Sequence, residues 1–442
     1  MGNLKDINYG VGKYLTADDA TSIPDIENNR VNLDTLNFKL AANNAYALYN
    51  MKDGFIEAFE DTSGVDASAS TNEIRNSSGK YYDGYSAVTV DETYNAKSAG
   101  TGTDYSYTVP AGITSLAFKV WGGGGGGNQY NRAPGGTGQG GGGGGYVAGD
   151  LAVSAGNTLK IAVSEETQGT DGYSGGYSGI FLGTHTFANA QAIAGGGGAS
   201  GNYSGGRGGD HDSGGSGGDG AYSMGGGGAS QSAGGVSGSD GDGAGRFENA
   251  TAGSALQGGN AGYGTLNPAS SATYPGGGRG ATASSYIGAG GGGGYYGGGG
   301  SDRYVGSYTG GGGGGGGSGY LHPSNVTNGT GEEGQAGNSG DPGQAGGDNI
   351  TGWTAPVGQG GGRNSSNNKG GPGRVIITGS GTIYNNVTLV SNAQTAQAQP
   401  DTARITVFEH PSTGTTTVNT DIRAYASRDN GTTYTQITFV YA

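Results

Sequence analysis

Through residues 31–59 apolar side chains recur mostly at three- and four-residue steps. Val31, Leu33, Leu36, Phe38, Leu40, Ala47, Leu48, Met51, Phe55, Ile56 and Phe59 follow one another without a proline. That spacing predicts a long helix, opening after an irregular stretch over residues 1 to about 30 that contains Pro24 and several Asp and Asn. Leu33, Leu36, Leu40, Ala47 and Gly54 fit heptad positions, with Asn43 and Asn50 in the same seam. Buried Asn in such a seam fixes register and oligomer number. Two readings stand open: a helix that associates with copies of itself through Leu33, Leu36, Leu40, Ala47 and Met51, as a trimer or otherwise, or a lone helix packed on its own domain.

Beyond Thr62 the helical period is lost. Ser, Asn and Gly turns surround Lys80-Tyr81-Tyr82 and the alternating run Tyr85 to Val90, which reads as linker plus a short strand. Tyr105 to Trp121, with Val109-Pro110, Ile113, Leu116, Phe118 and Val120, reads as a strand pair or a bent strand that runs straight into Gly122 to Gly127. Gly145 to Val153, Thr158 to Val163, Ile180 to Phe187, Ala190 to Ala194 and Arg374 to Thr378 are further strand candidates, and they bracket a glycine-rich mass. After Ile383 the glycine bias disappears. Val387 to Val390, Ala403 to Phe408, Thr416 to Val418, Ile422 to Ala426 and Tyr434 to Val440 then read as strands of a small β-sandwich.

The glycine-rich stretch from Gly195 to Gly371 alternates runs such as Gly225 to Gly228, Gly276 to Gly278, Gly290 to Gly294, Gly297 to Gly300 and Gly310 to Gly317 with short polar or tyrosine-bearing interruptions. No strict three-residue glycine period is kept, which excludes collagen. Glycine supplies 106 of the 442 residues and proline 11, together roughly the level at which disorder is the default, yet the 28 Tyr, 9 Phe and 2 Trp are foreign to disordered chains. Ordering so many glycines costs on the order of tens of kcal/mol of backbone entropy, and something must offset it. A bundle of extended helices with three residues per turn would do so, because missing side chains let backbones approach and bond to one another. The other reading is a flexible linker. The expected fold is therefore mainly β with a glycine-rich polyglycine II helix bundle, an N-terminal α-helical segment and a C-terminal β-sandwich, divided at 1–100, 101–380 and 381–442.

Charge and composition remove several function classes. Thirty-five acidic against 21 basic residues give a formal charge of −14, the wrong sign for gripping phosphates, so nucleic acid is not an expected partner. With no cysteine, stability outside a cell rests on packing and backbone hydrogen bonds. The start of the chain lacks a basic region followed by an apolar core, and no stretch approaches the apolar length of a membrane helix, so neither signal-led export nor a membrane span is expected.

Three stretches carry a resemblance. Asn8-Tyr9-Gly10-Val11-Gly12-Lys13-Tyr14-Leu15, with Ser22 to Ile26 and Asn37 to Phe59, resembles the N-terminal region of virion proteins from marine phages of the cyanobacterium-infecting type. Val109 to Thr114 leading into Val120-Trp121-Gly122, then Tyr146-Val147, Ile193-Ala194-Gly195 and the closing Gly373-Arg374-Val375-Ile376-Ile377, is similar to the glycine-rich domain of phage tail-fibre proteins and adhesins. Ile383 to Asn386 and Ala426 to Tyr434 look like a terminal β module of such fibres. The resemblance implies a tail-fibre part of a virion, made in the host cytoplasm and acting outside it. Its partners would be a host cell-surface glycan or outer-membrane protein and other tail-fibre or baseplate proteins. It also places receptor contact in loops between polyglycine helices, where this chain carries Tyr203, Tyr222, Tyr295, Tyr296, Tyr304, Tyr308 and Tyr320. A tyrosine ring with one hydroxyl contacts sugar or protein with little entropy loss. The same rings could instead cap and seal the bundle.

Motifs of chemistry fare poorly. Gly172-Tyr173-Ser174-Gly175-Gly176 matches a nucleophile elbow, but chance supplies such matches in a chain this rich in Gly and Ser, and no strand-then-helix context follows. Glycine strings lack the helix and acidic partner of a dinucleotide site, and neither Gly12-Lys13 nor Gly79-Lys80 is followed by Ser or Thr. Asp210-His211-Asp212 and Asp240-Gly241-Asp242 could offer oxygens to a hard cation, although solvated loops explain them as well. His185, His211, His322 and His410 are scattered. Ser427-x-Asp429-x-Gly431-x-x-Tyr434 resembles the Asp-box turn, a folding element. The reading is thus a non-enzyme with no catalytic residue, metal or cofactor. It is an adhesin of a phage tail fibre, or alternatively a self-assembling filament subunit with a purely structural role.

Overall fold

The structure, a computed structural model, describes residues 32–33, 36–37, 39–40, 48–51, 54–57, 61–78, 81–98, 102–128, 139–167, 172–203, 205–209, 214, 225–239, 247–248, 250–262, 273–283, 286–304, 311–338, 341–362, 368–395, 405, 407 and 415–439. It is mainly β, and the chain forms two compact units, residues 1–86 with 384–442, and residues 87–383.

In the larger unit the apolar alternation read from the sequence becomes two five-stranded sheets. One runs in the order Val326–Glu332, Tyr146–Ala152, Ser115–Trp121, Arg374–Tyr384, Tyr85–Asn95. The other runs Tyr320–Leu321, Ala190–Ala194, Ser178–Leu182, Thr158–Ala162, Tyr105–Thr108. Along Ser115–Trp121 the inward set Leu116, Phe118 and Val120 is buried while Ser115 and Ala117 face out, as a period of two requires. These residues share one core with Val147, Leu151, Val375 and Ile377 of their own sheet and Leu159, Ile161, Ile180 and Ala192 of the other. The first strand of the Ile180–Phe187 region ends at Leu182. Gly183, at φ 82°, turns the chain there, and a 3-10 turn at Phe187–Asn189 follows.

The described glycine runs join no sheet. Gly122, Gly123 and Gly124 donate to the carbonyls of Gly145, Gly176 and Gly371, on three different segments; Gly125, Gly126 and Gly127 donate to the same three segments in the same order, at Gly142, Tyr173 and Asn368. The run 140–145 repeats the pattern, bonding in turn to Asn338, Gly361, Gly198, Gln335, Gly358 and Gly195. Its partners step back by three residues at each return, so the donors point in three directions with a period of three. Side chains are excluded by contact. A Cβ at Gly125 would sit 2.1 Å from the Gly198 oxygen, and one at Gly197 2.0 Å from that of Gly142. The backbone groups that glycine leaves bare thus find partners among themselves, which is what burial demands.

In the smaller unit the expected long helix over 31–59 is corrected. The described residues from Asn32 to Leu40 are helical, but Leu48–Met51 and Gly54–Glu57 pair as an antiparallel hairpin, with Tyr49 opposite Ile56 and Asn50 opposite Phe55. Tyr49, Phe55 and Ile56 favour strands, and Gly54 is costly inside a helix. The heptad seam therefore does not continue as helix to Asn50 and Met51. Leu33, Leu36 and Leu40 are 55%, 62% and 53% exposed, and Ala47 lies outside the described residues. The C-terminal sandwich is also not formed among the described residues. Thr388 and Ser391 bridge to Thr71 and Val65, and only Ala424–Ala426 with Thr435–Ile437 forms a paired hairpin. Most of Ala403 to Phe408 lies outside the described residues.

Candidate recognition surface

Three segments of the larger unit bring aromatic rings together. The 3-10 turn supplies Phe187, the short interruption between the runs 290–294 and 297–300 supplies Tyr295 and Tyr296, and the strand Tyr320–Leu321 supplies Tyr320 and leads to His322. Tyr320 pairs with Ile193 and Leu321 with Ala192, while the His322 amide donates to the Gln191 carbonyl at 2.9 Å. The tyrosine interruption is pinned by buried Ser318. Its carbonyl accepts from the Tyr295 amide, its amide donates to the Tyr296 carbonyl, both at 2.9 Å, and its hydroxyl accepts from the Tyr296 amide at 3.1 Å.

Tyr295 is stacked on Tyr320 with centroids 3.9 Å apart and planes 8° apart, and on Phe187 at 4.2 Å and 17°. Two rings cannot share one face at such distances, so Tyr295 lies between the other two. Tyr296 stands edge-on to Phe187 at 5.3 Å, and His322 edge-on to Tyr320 at 6.4 Å. All five residues are partly exposed. Beneath them Tyr295 and Tyr320 rest on buried Ala162, Tyr177, Phe181, Ala190 and Ile193. Burial pushes the Tyr295 hydroxyl up to about 12, helped by Tyr320, and raises that of Tyr320 too. Both remain neutral donors at ordinary pH. The His322 Nδ1 accepts from the amides of Ser324 and Asn325, each at 3.2 Å, which leaves the ring proton on Nε2.

A second polar group fastens this side of the unit from within. The Tyr177 hydroxyl meets His185 Nε2 at 2.5 Å, His185 Nδ1 meets both Asp104 oxygens at 2.9 and 3.0 Å, and the Tyr274 hydroxyl donates to the same carboxylate. Desolvation pushes the Asp104 carboxyl up, but its hydrogen bonds with His185 and Tyr274 outweigh that and hold it below the usual carboxylate range. Tyr177 is 2% exposed, so its hydroxyl meets no substrate and the chain of bonds acts as a fastener between distant segments.

No family model matches the chain, and no curated protein is significantly similar to it.

Of the tyrosines singled out in the sequence, Tyr295, Tyr296 and Tyr320 converge. Tyr203 sits partly exposed in a bend with no ring contact to that cluster among the described contacts, Tyr304 lies on a two-residue strand opposite Phe247, and Tyr222 and Tyr308 fall outside the described residues. Phe187 and His322 were not foreseen as surface residues. Phe187 stands at the end of an apolar run that reads as strand, and His322 has no sequence neighbour that marks it. The Ser174 hydroxyl is buried and donates to the Gly278 carbonyl at 3.0 Å, inside the glycine mass. Among the described residues no cluster of three or more His, Asp or Glu is arranged to hold a metal, and both aspartate pairs considered for a cation fall outside them.

Proposed function

We propose that this chain is a virion structural protein of a phage tail fibre and acts as an adhesin, its glycine segments forming a bundle of polyglycine II helices that holds a tyrosine-bearing surface toward the host cell. The period of three in the donor pattern supports the helices, since polyproline-type helices turn once in three residues. The observation that carries the adhesin reading is the convergence of Phe187, Tyr295, Tyr296, Tyr320 and His322 into one partly exposed aromatic surface mounted on hydrogen-bonded backbone. Rigid aromatic anchors bind partners with little ordering cost. The partner would be a cell-surface glycan or outer-membrane protein, and the smaller unit would join other tail-fibre or baseplate proteins.

The test is saturable binding of the purified full chain to intact bacteria and its ability to block adsorption of phage to the same cells. Saturation with blocking supports the adhesin; absence of both across candidate hosts refutes it. A second reading, a filament subunit with a purely structural role, is favoured by exposed Leu33, Leu36 and Leu40 at heptad steps. It requires that the chain polymerise, and that replacing the three leucines by Ser return it to monomer in sedimentation.

A further inference from the structure

Resting on the adhesin reading, we propose that the stack of Phe187, Tyr295 and Tyr320 is a carbohydrate subsite, which takes neutral sugar rings of one oligosaccharide, one ring against the face of Phe187 and another against the face of Tyr320, each face turned away from Tyr295. Tyr295 has a ring on each side and offers no face of its own; it sets the spacing of the outer two. A pyranose presents a patch of C–H groups on its face and hydroxyls around its rim. The apolar patch packs on an aromatic face, and the rim needs neutral donors and acceptors beside that face.

The segments that build the surface have that chemistry. Residues 184–189, 294–297 and 318–325 contain no Asp, Glu, Lys or Arg, in a chain where 13% of residues are charged. What they offer beside the rings are the Tyr296 hydroxyl, the Nε2–H of His322 and the side chains of Thr186, Ser324 and Asn325. The frame is held before any ligand arrives. Gln191, only 3% exposed, donates from Nε2 to the Asn189 carbonyl at 3.0 Å and accepts from Asn325 Nδ2 at 2.8 Å, tying the turn that carries Phe187 to the segment that carries His322. Nucleobases also stack on aromatic rings, but they arrive with phosphates that a chain of formal charge −14 repels, and no basic side chain lies in these segments. An acidic or basic peptide would likewise find no counter-charge.

The probe is a panel of neutral oligosaccharides, namely gluco-, manno-, galacto- and N-acetylglucosamine oligomers, titrated into the full-length chain with saturation-transfer NMR and calorimetry. Saturable binding to at least one member is expected, with Phe187→Leu and Tyr320→Leu each weakening it at least tenfold. Leucine keeps apolar bulk but removes the ring, so folding is checked by an unchanged far-ultraviolet dichroism and an unchanged melting temperature. Tyr384→Leu, at an exposed ring outside the aromatic cluster, serves as the control and leaves binding unchanged. No binding to any member, or binding that both leucine variants retain, overturns the subsite. Cell binding that survives periodate treatment of the bacteria but is lost after protease treatment identifies a protein receptor, so that the subsite fails while the adhesin stands. Failure to bind cells at all removes the adhesin reading itself.

Discussion

Asp104 shows how single side chains hold this molecule together across long stretches of sequence. It receives His185 from 81 positions away and Tyr274 from 170, and its side chain is only 18% exposed. Replacing it by Ala strips two partners at once and leaves the part-buried His185–Tyr177 pair without its acceptor, which is expected to cost about 1 to 3 kcal/mol in denaturant unfolding. The carboxyl is held below its ordinary value, so its contribution is complete above that value and is lost as pH falls through the lower folded one. Stability measured against pH should therefore stay level near pH 5 and decline below about 4, and Asp104→Asn should flatten that decline. Tyr295 gives the opposite limb. Its hydroxyl is raised to about 12 from 10.0, so the unfolded chain ionises first and stability is lost as pH rises through that interval. Tyr295→Phe should reduce the alkaline loss, the remainder coming from other raised hydroxyls such as those of Tyr146, Tyr177 and Tyr320. None of the Asp104 contacts was legible in the sequence, because nothing in the spacing of Asp104, Tyr177, His185 and Tyr274 marks them as neighbours. The convergence of Tyr295, Tyr296 and Tyr320 was half legible: glycine runs on either side mark such tyrosines as interruptions, but not which of them meet.

At the scale of elements, the hairpin Ala424–Ala426 to Thr435–Ile437 is closed by side chains that the Asp-box pattern identifies. Asp429 Oδ1 accepts from the Ser427 hydroxyl and the Thr433 amide, both at 2.8 Å, its Oδ2 accepts from the Thr433 hydroxyl at 2.6 Å, and the Gly431 amide donates to the Ser427 hydroxyl at 2.7 Å. Asn430 and Gly431 take φ of 55° and 83°, the left-handed values that such residues tolerate best. The hydrogen bonds from Thr433, with those of Ser427, hold the carboxyl at about 2. Amide protection at Gly431 and Thr433 should persist through mild acid, vanish as pH falls toward 2, and be absent at all pH values in Asp429→Ala. This turn was readable from the sequence because its contacts span no more than four residues. The sheet strands were readable for a related reason: Leu116, Phe118 and Val120 alternate with outward residues, and that alternation survives folding unchanged. The misread helix fails by the same logic. Three- and four-residue spacing in Leu48 to Phe59 coincides with a strand pair whose aromatic and β-branched residues overrule it.

For the whole molecule the account turns on glycine. If the runs are a packed lattice rather than a tether, a single methyl placed inside them should act like an overpacked core. Gly197→Ala would start its side chain 2.0 Å from the Gly142 oxygen and is expected to destabilise by roughly 1 to 3 kcal/mol or prevent folding. Gly156→Asn, at an open turn with φ 82°, should cost less than about 1 kcal/mol, since Asn accepts that conformation and nothing lies within 4 Å. The aromatic cluster depends on the same lattice, because the two tyrosines at 295 and 296 stand between two of its runs and are held by Ser318, which directly follows a third. A tether would leave those rings without fixed spacing, and the proposed subsite would have no geometry.

The most direct measurement is hydrogen exchange of the glycine amides in the full chain, resolved by NMR or by mass spectrometry of peptic fragments spanning 122–128, 139–145 and 195–202. Exchange slowed to the level of the sheet strands Ser115–Trp121 and Ala190–Ala194, and sensitive to Gly197→Ala, is the result expected of a lattice in which these amides are bonded. Exchange at the rate of an unstructured chain, while the sheets stay protected, would contradict it and leave the glycine region a flexible linker.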